Sequence, residues 1–186
     1  SIKLGFKDEL DFKKSLIVDL SVSKSLPDQV ANGDKLILSD EKNADTKQMP
    51  GPLVNIMTAV VVLEECTNIS EELTLDPAVY GSIYDVLNAN DRLDDLPSCD
   101  ISDGDILTVE DLLHCMMLTS SIEASNTLAF RFGGNSVPKF VEKMNAKAKE
   151  IGMTSTNFTN PDGMFDVNQY TTARDMAILT QYALDV

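Results

Sequence analysis

The chain has 186 residues, of which 43% are hydrophobic and 24% are charged, a length and balance that suit one globular domain and exclude disordered and fibrous proteins. Thirty acidic side chains against 15 basic ones give a formal net charge of -15, which would repel a phosphate backbone or an anionic membrane surface. We therefore expect a single domain over residues 1–186 that does not bind nucleic acid.

The sequence contains no apparent membrane-spanning segment. Its longest apolar stretches, such as residues 56–63, are far shorter than the roughly 20 residues that a spanning helix needs. The chain begins at Ser1 without the charged, apolar and cleavage regions of an export signal, so we expect that any such signal was removed or is not included.

The first part of the chain predicts the start of a sheet. Residues 1–12 show no clear period and are predicted to be irregular, whereas residues 15–20 and 35–39 have the short apolar runs of buried strands. Pro27 and Gly33 supply turn residues between them, so we expect an antiparallel hairpin with a long connection. No partner strand is predicted after residue 39.

The rest of the chain is predicted to be mostly helical. Residues 53–66 have the apolar density of a buried helix, and residues 88–105 have the polar composition of a loop. Three further helices follow from cap residues, apolar stripes and glycine stops: from the N-cap Thr108 to about Met117, over residues 121–132, and over residues 137–151. A last helix is predicted from the Thr171–Thr172 cap to the chain end.

The polar residues and cysteines give no metal site. Residues 100–105 superficially resemble a calcium loop, but they lack the distal bidentate glutamate, so a solvated turn is predicted. Cys66, Cys99 and Cys115 lack metal-ligand spacing and are predicted to be buried free thiols. A Cys66–Cys99 disulfide is the alternative in an oxidising compartment.

His114, the only histidine, does not predict a catalytic pair. Ser121 would lie two helical turns away on the same face, which is too far for the hydrogen bond of a Ser–His pair. We therefore expect a packed or surface histidine. Nothing among the 30 acidic residues singles out a general acid and a general base.

Short motifs that carry a family resemblance follow one another from about residue 35 to residue 186. They occupy residues 42–45, 56–59, 61–64, 107–113, 124–129, 133–134, 140–145, 152–158, 160–164 and 170–177. Asn160-Pro161-Asp162-Gly163-Met164, for example, is similar to Asn-Pro-His-Gly-Leu. In this order they resemble the D-alanyl-D-alanine carboxypeptidases, the serine penicillin-binding enzymes of bacterial cell-wall synthesis.

The resemblance implies an α+β fold, with the helical body of the β-lactamase-like DD-peptidases. It implies an incomplete antiparallel sheet, because only the first strands of the family sheet would lie in this chain. Its exposed edges would be covered by the helices, by a second copy in a homodimer, or by a second chain; the alternative is that the natural protein continues beyond Val186 and these residues are a fragment. The resemblance also implies an extracytoplasmic protein, secreted or in the cell envelope, and no cofactor.

The first catalytic motif of the family is altered. The acylated serine of Ser-x-x-Lys stands at a helix start, and the lysine one turn later helps to deprotonate it. Pro52 occupies the serine position and Asn55 the lysine position. Proline has no nucleophilic atom and a neutral amide is not a base, although proline suits a first helical turn.

The second motif, Ser-x-Asn, is altered in part. Alignment on Ala124 and Ala129 places Ser120 at the serine position, whereas Ile122 replaces the asparagine that would hold the substrate. Ser120 and Ser121 remain as the candidate binding residues. The third motif, Lys-Thr-Gly, would lie beyond Val186.

Three functions remain open at this stage. The first is a non-catalytic homologue that binds a peptidoglycan stem peptide or an envelope protein. The second is an active serine carboxypeptidase in peptidoglycan remodelling with a relocated nucleophile, Ser120 or Ser121, and Lys143 or Lys147 as a remote base. The third is a purely structural envelope protein whose cleft binds nothing.

Overall fold

The computed structural model describes residues 43–88 and 99–186, all within the compact unit of residues 40–186. The irregular segment predicted at residues 1–12 and the strands predicted at 15–20 and 35–39 lie outside the described residues. The extent of a single domain over residues 1–186 therefore stays a prediction.

A mostly apolar helix forms the centre of this unit. A 3-10 turn, Gly51–Leu53, leads into helix α1, Val54–Glu65, which confirms the helix predicted over residues 53–66. Eight of its 12 residues are buried, and such a helix has to be surrounded on several sides. Four other helices pack against it.

The described residues contain a small antiparallel sheet that the sequence analysis missed. Strand β1, Glu72–Thr74, pairs with strand β2, Ile106–Thr108, so that Leu73 lies opposite Leu107. The expectation that no strand follows residue 39 is therefore wrong. Strands of three residues are too short to show the two-residue alternation that identifies a strand in a sequence.

Helix α2, Pro77–Asn88, was also missed, and it takes the first residue of the loop predicted at 88–105. Gly81 and Ser82 in its middle weaken the helical pattern. Its start carries two recognisable signals, since Pro77 is the first helical residue and Asp76 Oδ1 accepts a hydrogen bond from the Ala78 amide. Residues 99–105 are irregular, as predicted.

The other predicted helices are confirmed to within about two residues at most ends. They are α3, Val109–Thr119; α4, Ile122–Phe132; α5, Val137–Ile151; and α6, Ala173–Ala183. Each begins at a serine or threonine whose side chain accepts a backbone hydrogen bond, and Thr108 and Asp111 form a full capping box. Helix α6 ends three residues before the chain does.

One large core joins these helices, and its largest fully buried side chains include Met57, Leu112, Leu128, Phe140 and Phe158. Isolated bridges pair Gln48 with Thr171 and Asn157 with Tyr170, which ties the segment before α1 to the loop before α6. The α+β class is confirmed. None of the helices in residues 43–88 and 99–186 is long and apolar enough to span a membrane.

The three cysteines are free and half-buried rather than fully buried. Burial raises the pKa of Cys115 to about 12, and a hydrogen bond with the Cys99 thiol adds to the effect. Cys99 therefore neighbours Cys115, and the alternative disulfide between Cys66 and Cys99 is not formed.

Candidate functional site

The start of the central helix holds the first altered position. Gly51, with a φ of 54°, turns the chain into the 3-10 turn, and Pro52 lies exposed at its second residue. Proline suits this place because it has no N–H to leave unsatisfied there. It also offers no hydroxyl, so position 52 has a structural role and no nucleophile.

Asn55 lies one helical turn after Pro52 and is only 3% exposed. Its Nδ2 donates a hydrogen bond of 3.2 Å to the Met116 carbonyl oxygen on α3. Its Oδ1 has no hydrogen-bond partner among the residues that the structure describes. A buried carbonyl oxygen without a partner costs free energy, so the Asn55 amide destabilises the fold at this position. The family motif has a lysine amine here instead.

Ser120 converges on the same carbonyl. It ends α3 in the left-handed conformation, with φ 57° and ψ 36°, and its backbone N–H donates a 3.0 Å hydrogen bond to Met116 O. Asn55 and Ser120, which the resemblance assigns to one site, therefore lie side by side. Ser120 is half-exposed.

Ser121 is the N-cap of α4 and is fully buried. Its Oγ donates to Glu123 Oε2 at 2.6 Å and accepts from the Ala124 amide at 3.2 Å. Glu123 also accepts a short hydrogen bond from the Tyr84 hydroxyl. These contacts and the burial make Ser121 a structural cap and remove it from the candidate binding residues.

Ile122 has become part of an apolar cluster. Its side chain is 5% exposed and packs with Tyr80, and the half-buried Met164 packs against this cluster. The place where the family motif has a substrate-holding amide is therefore closed by hydrocarbon.

The loop of residues 160–164 completes the site. Gly163 has a φ of 82°, and a Cβ built there would lie 2.1 Å from the Gly51 carbonyl oxygen. Thr58 Oγ1 donates a 2.7 Å hydrogen bond to the Pro161 carbonyl. This loop is therefore pressed against the helix start, and the four positions 52, 55, 120 and 122 are brought together around it.

Asp162, at the tip of this loop, is a site residue that the sequence analysis did not single out. Its carboxylate is buried and accepts hydrogen bonds from the Asn126 Nδ2 at 2.7 Å and the Met164 amide at 2.8 Å. Burial raises its pKa above the ordinary value, although both hydrogen bonds oppose the shift. The available signal was the aspartate that stands where the family motif has histidine.

The remote bases lie at the other end of α1. Lys147 Nζ is 2.9 Å from Glu64 Oε2, and Lys143 Nζ is 2.6 Å from Glu65 Oε2. Glu64 is nine residues from Asn55, which corresponds to about 14 Å along a helix. The structure thus separates both lysines from the site. His114 is half-buried on α3, in agreement with the prediction of a packed or surface histidine.

The family model described as D-alanyl-D-alanine carboxypeptidase matches residues 31–185. The chain belongs to this family. The family's carboxypeptidase DacA from Haemophilus influenzae is 33% identical over 141 residues, which cover 74% of this chain and 33% of that protein.

Solved structures of the family agree with the fold. The Streptomyces K15 DD-transpeptidase aligns with a TM-score of 0.68 at 31% identity, over 78% of this chain and 55% of that one. Penicillin binding protein 5 from Haemophilus influenzae aligns with a TM-score of 0.66 at 29% identity, over 77% of this chain and 40% of that one. The fold is thus the β-lactamase-like fold of the DD-peptidases, and the chain spans only part of the length of these family members.

Proposed function

We propose that this protein is a non-catalytic D-alanyl-D-alanine carboxypeptidase homologue that binds a peptidoglycan stem peptide without cleaving it. The observation that carries the proposal is the joint replacement at one site. Pro52 and Asn55 stand where acyl transfer in the family needs a nucleophile and its base. The nucleophile and its base act as a unit, so the loss of both at one site is hard to compensate.

Among the residues that the structure describes, the neighbouring side chains do not restore the lost groups. Ser121 is buried and bonded to Glu123, and Lys143 and Lys147 are paired with carboxylates at the far end of α1. Ser120 is half-exposed. A hydroxyl is a weak nucleophile at neutral pH unless an adjacent base accepts its proton, so Ser120 supports binding better than catalysis.

Two features favour a peptide ligand over a cleft that binds nothing. Asn55 retains a carbonyl oxygen without a hydrogen-bond partner in residues 43–88 and 99–186, and this atom would accept a peptide N–H after a small local opening. Ser120 holds its left-handed backbone beside it, a conformation that non-glycine residues adopt at a cost. An envelope protein that presents an extended peptide would meet the same groups. Either ligand implies an extracytoplasmic location, secreted or in the cell envelope.

A titration with a pentapeptide that ends in D-Ala-D-Ala tests this proposal. Backbone NMR shifts are expected at residues 51–55, 120–122 and 160–164, with no release of free D-alanine and weaker shifts for the L-Ala-L-Ala peptide. Ser120→Ala should weaken binding, whereas Ser70→Ala, at an exposed serine in a loop, should not. D-alanine release that disappears in Ser120→Ala would establish an active enzyme. Equal or absent shifts with both peptides would favour the structural role.

A further inference from the structure

Cys99 and Cys115 are two neighbouring thiols that play no part in the candidate site. They are 16 residues apart in sequence, yet a thiol–thiol hydrogen bond joins their side chains. Both are free and half-buried. The fold therefore brings two thiols into contact without a covalent bond between them.

Packing holds this pair of thiols from both sides. Cys115 lies on α3, and its side chain packs against the large core. On the other side, Cys99 is followed by Asp100, whose φ of 55° is left-handed, and then by Ile101, which packs against the same core. Groups that a fold holds close together react with each other far more readily than with dissolved reagents. The two thiols are thus positioned to react with each other.

We propose that Cys99 and Cys115 form a disulfide when the folded protein meets a disulfide oxidant such as oxidised glutathione. Burial raises the pKa of Cys115 to about 12 and keeps that thiol protonated, so Cys99 makes the first attack. The Cys99 thiolate displaces one glutathione thiolate and forms a mixed disulfide. The Cys115 thiol then loses its proton and displaces the second glutathione. Two protein thiols are oxidised, and one glutathione disulfide takes up their two protons and becomes two thiols.

This disulfide would tie the irregular segment 99–105 to α3. A cross-link of this kind stabilises a protein mainly because it restricts the unfolded chain. Cys115 directly precedes Met116, whose carbonyl oxygen accepts hydrogen bonds from Asn55 and from the Ser120 amide. Oxidation would therefore also secure the end of α3 that carries the candidate site, whether or not that site binds a peptide.

Peptide mapping after treatment with oxidised glutathione tests the pairing. Trypsin leaves both cysteines in peptide 93–131 and Cys66 in peptide 48–92. From the folded protein, peptide 93–131 should be lighter by two thiol hydrogens, should resist alkylation, and should stay joined after a further cut at Glu110. Treatment in urea should also give disulfides that contain Cys66. Unreacted thiols, a disulfide with Cys66 in the folded protein, or a lasting mixed disulfide on Cys99 would overturn the proposal.

Thermal unfolding and hydrogen exchange test the effect of the cross-link. Oxidation should raise the Tm by about 6 °C, reversibly with dithiothreitol, and slow exchange of the Ser120 amide. Cys66→Ser is the matched control, at a half-buried thiol that caps α1, and should keep both effects. Cys99→Ser and Cys115→Ala should each abolish them, so one variant suffices if the other does not fold. A disulfide that leaves the Tm and the exchange rate unchanged would contradict the cross-link.

Discussion

At the scale of single residues, Ile122 shows how the site has changed from polar to apolar. Its side chain is buried against Tyr80, so the asparagine of the family motif should no longer fit there. We expect Ile122→Asn to lower the free energy of unfolding by about 3 kcal/mol, because it loses buried hydrocarbon and buries an unpaired amide. Ile122→Val should cost only about 1 kcal/mol. Urea unfolding measures both, and an Ile122→Asn variant as stable as the wild type would refute this reading.

Asp162, a second single residue, should make the free energy of unfolding depend on pH. Burial raises its pKa in the folded protein, so the folded state holds this proton more tightly than the unfolded chain. Stability that depends on this proton is lost as pH rises from the ordinary aspartate pKa through the raised value. Relative to wild type, Asp162→Asn should therefore become more stable as pH increases over that range. Unfolding curves at several pH values test the sign, and a difference that falls with pH would contradict it.

At the scale of elements, the contact between the loop 160–164 and the start of α1 holds the site together. Gly163→Ala should cost about 3 kcal/mol, because a Cβ would collide with the Gly51 carbonyl in addition to the strain of a positive φ. Gly134→Ala is a matched control, with a φ of 66° and open space around the new Cβ, and should cost about 1 kcal/mol. Thermal unfolding compares them, and equal losses would show that the loop does not press on the helix.

The elements also show what could be predicted from the sequence. Helices α3 to α6 were found from local signals: cap residues before α3 and α6, glycine stops after α4 and α5, and the apolar stripe of α5. Strands β1 and β2 were missed because their pairing joins residues 32 to 36 positions apart, and three residues carry little pattern. Helix α2 was missed because Gly81 interrupts it, although Asp76 and Pro77 mark its start.

The candidate site was predictable in its positions but not in its contacts. The order of the family motifs identified Pro52, Asn55, Ser120 and Ile122 without any structure. Asn55 and Ser120 both bond the Met116 carbonyl because α1 packs against α3, and Asn55 and Met116 are 61 residues apart in sequence. The pairing of Asp162 with Asn126 also depends on tertiary structure, so neither could be inferred from local patterns.

At the scale of the whole molecule, the chain keeps the family fold while Pro52 stands at the helix start where the resemblance places the acylated serine. The chain aligns with part of larger relatives, such as penicillin binding protein 5 from Haemophilus influenzae, of which it covers 40%. The net charge of -15 offers no basic field to attract an anionic substrate. Retained packing with altered residues at these positions supports the proposed binding function.

Covalent labelling with a fluorescent penicillin tests this account most directly. Penicillin marks serine enzymes of this kind by acylating the nucleophile, and the bond survives denaturation. The full chain should show no fluorescent band after denaturing electrophoresis, under conditions in which the penicillin binding protein from Haemophilus influenzae is labelled. A labelled band at the mass of this chain would contradict the account, and its loss in Ser120→Ala would identify the relocated nucleophile.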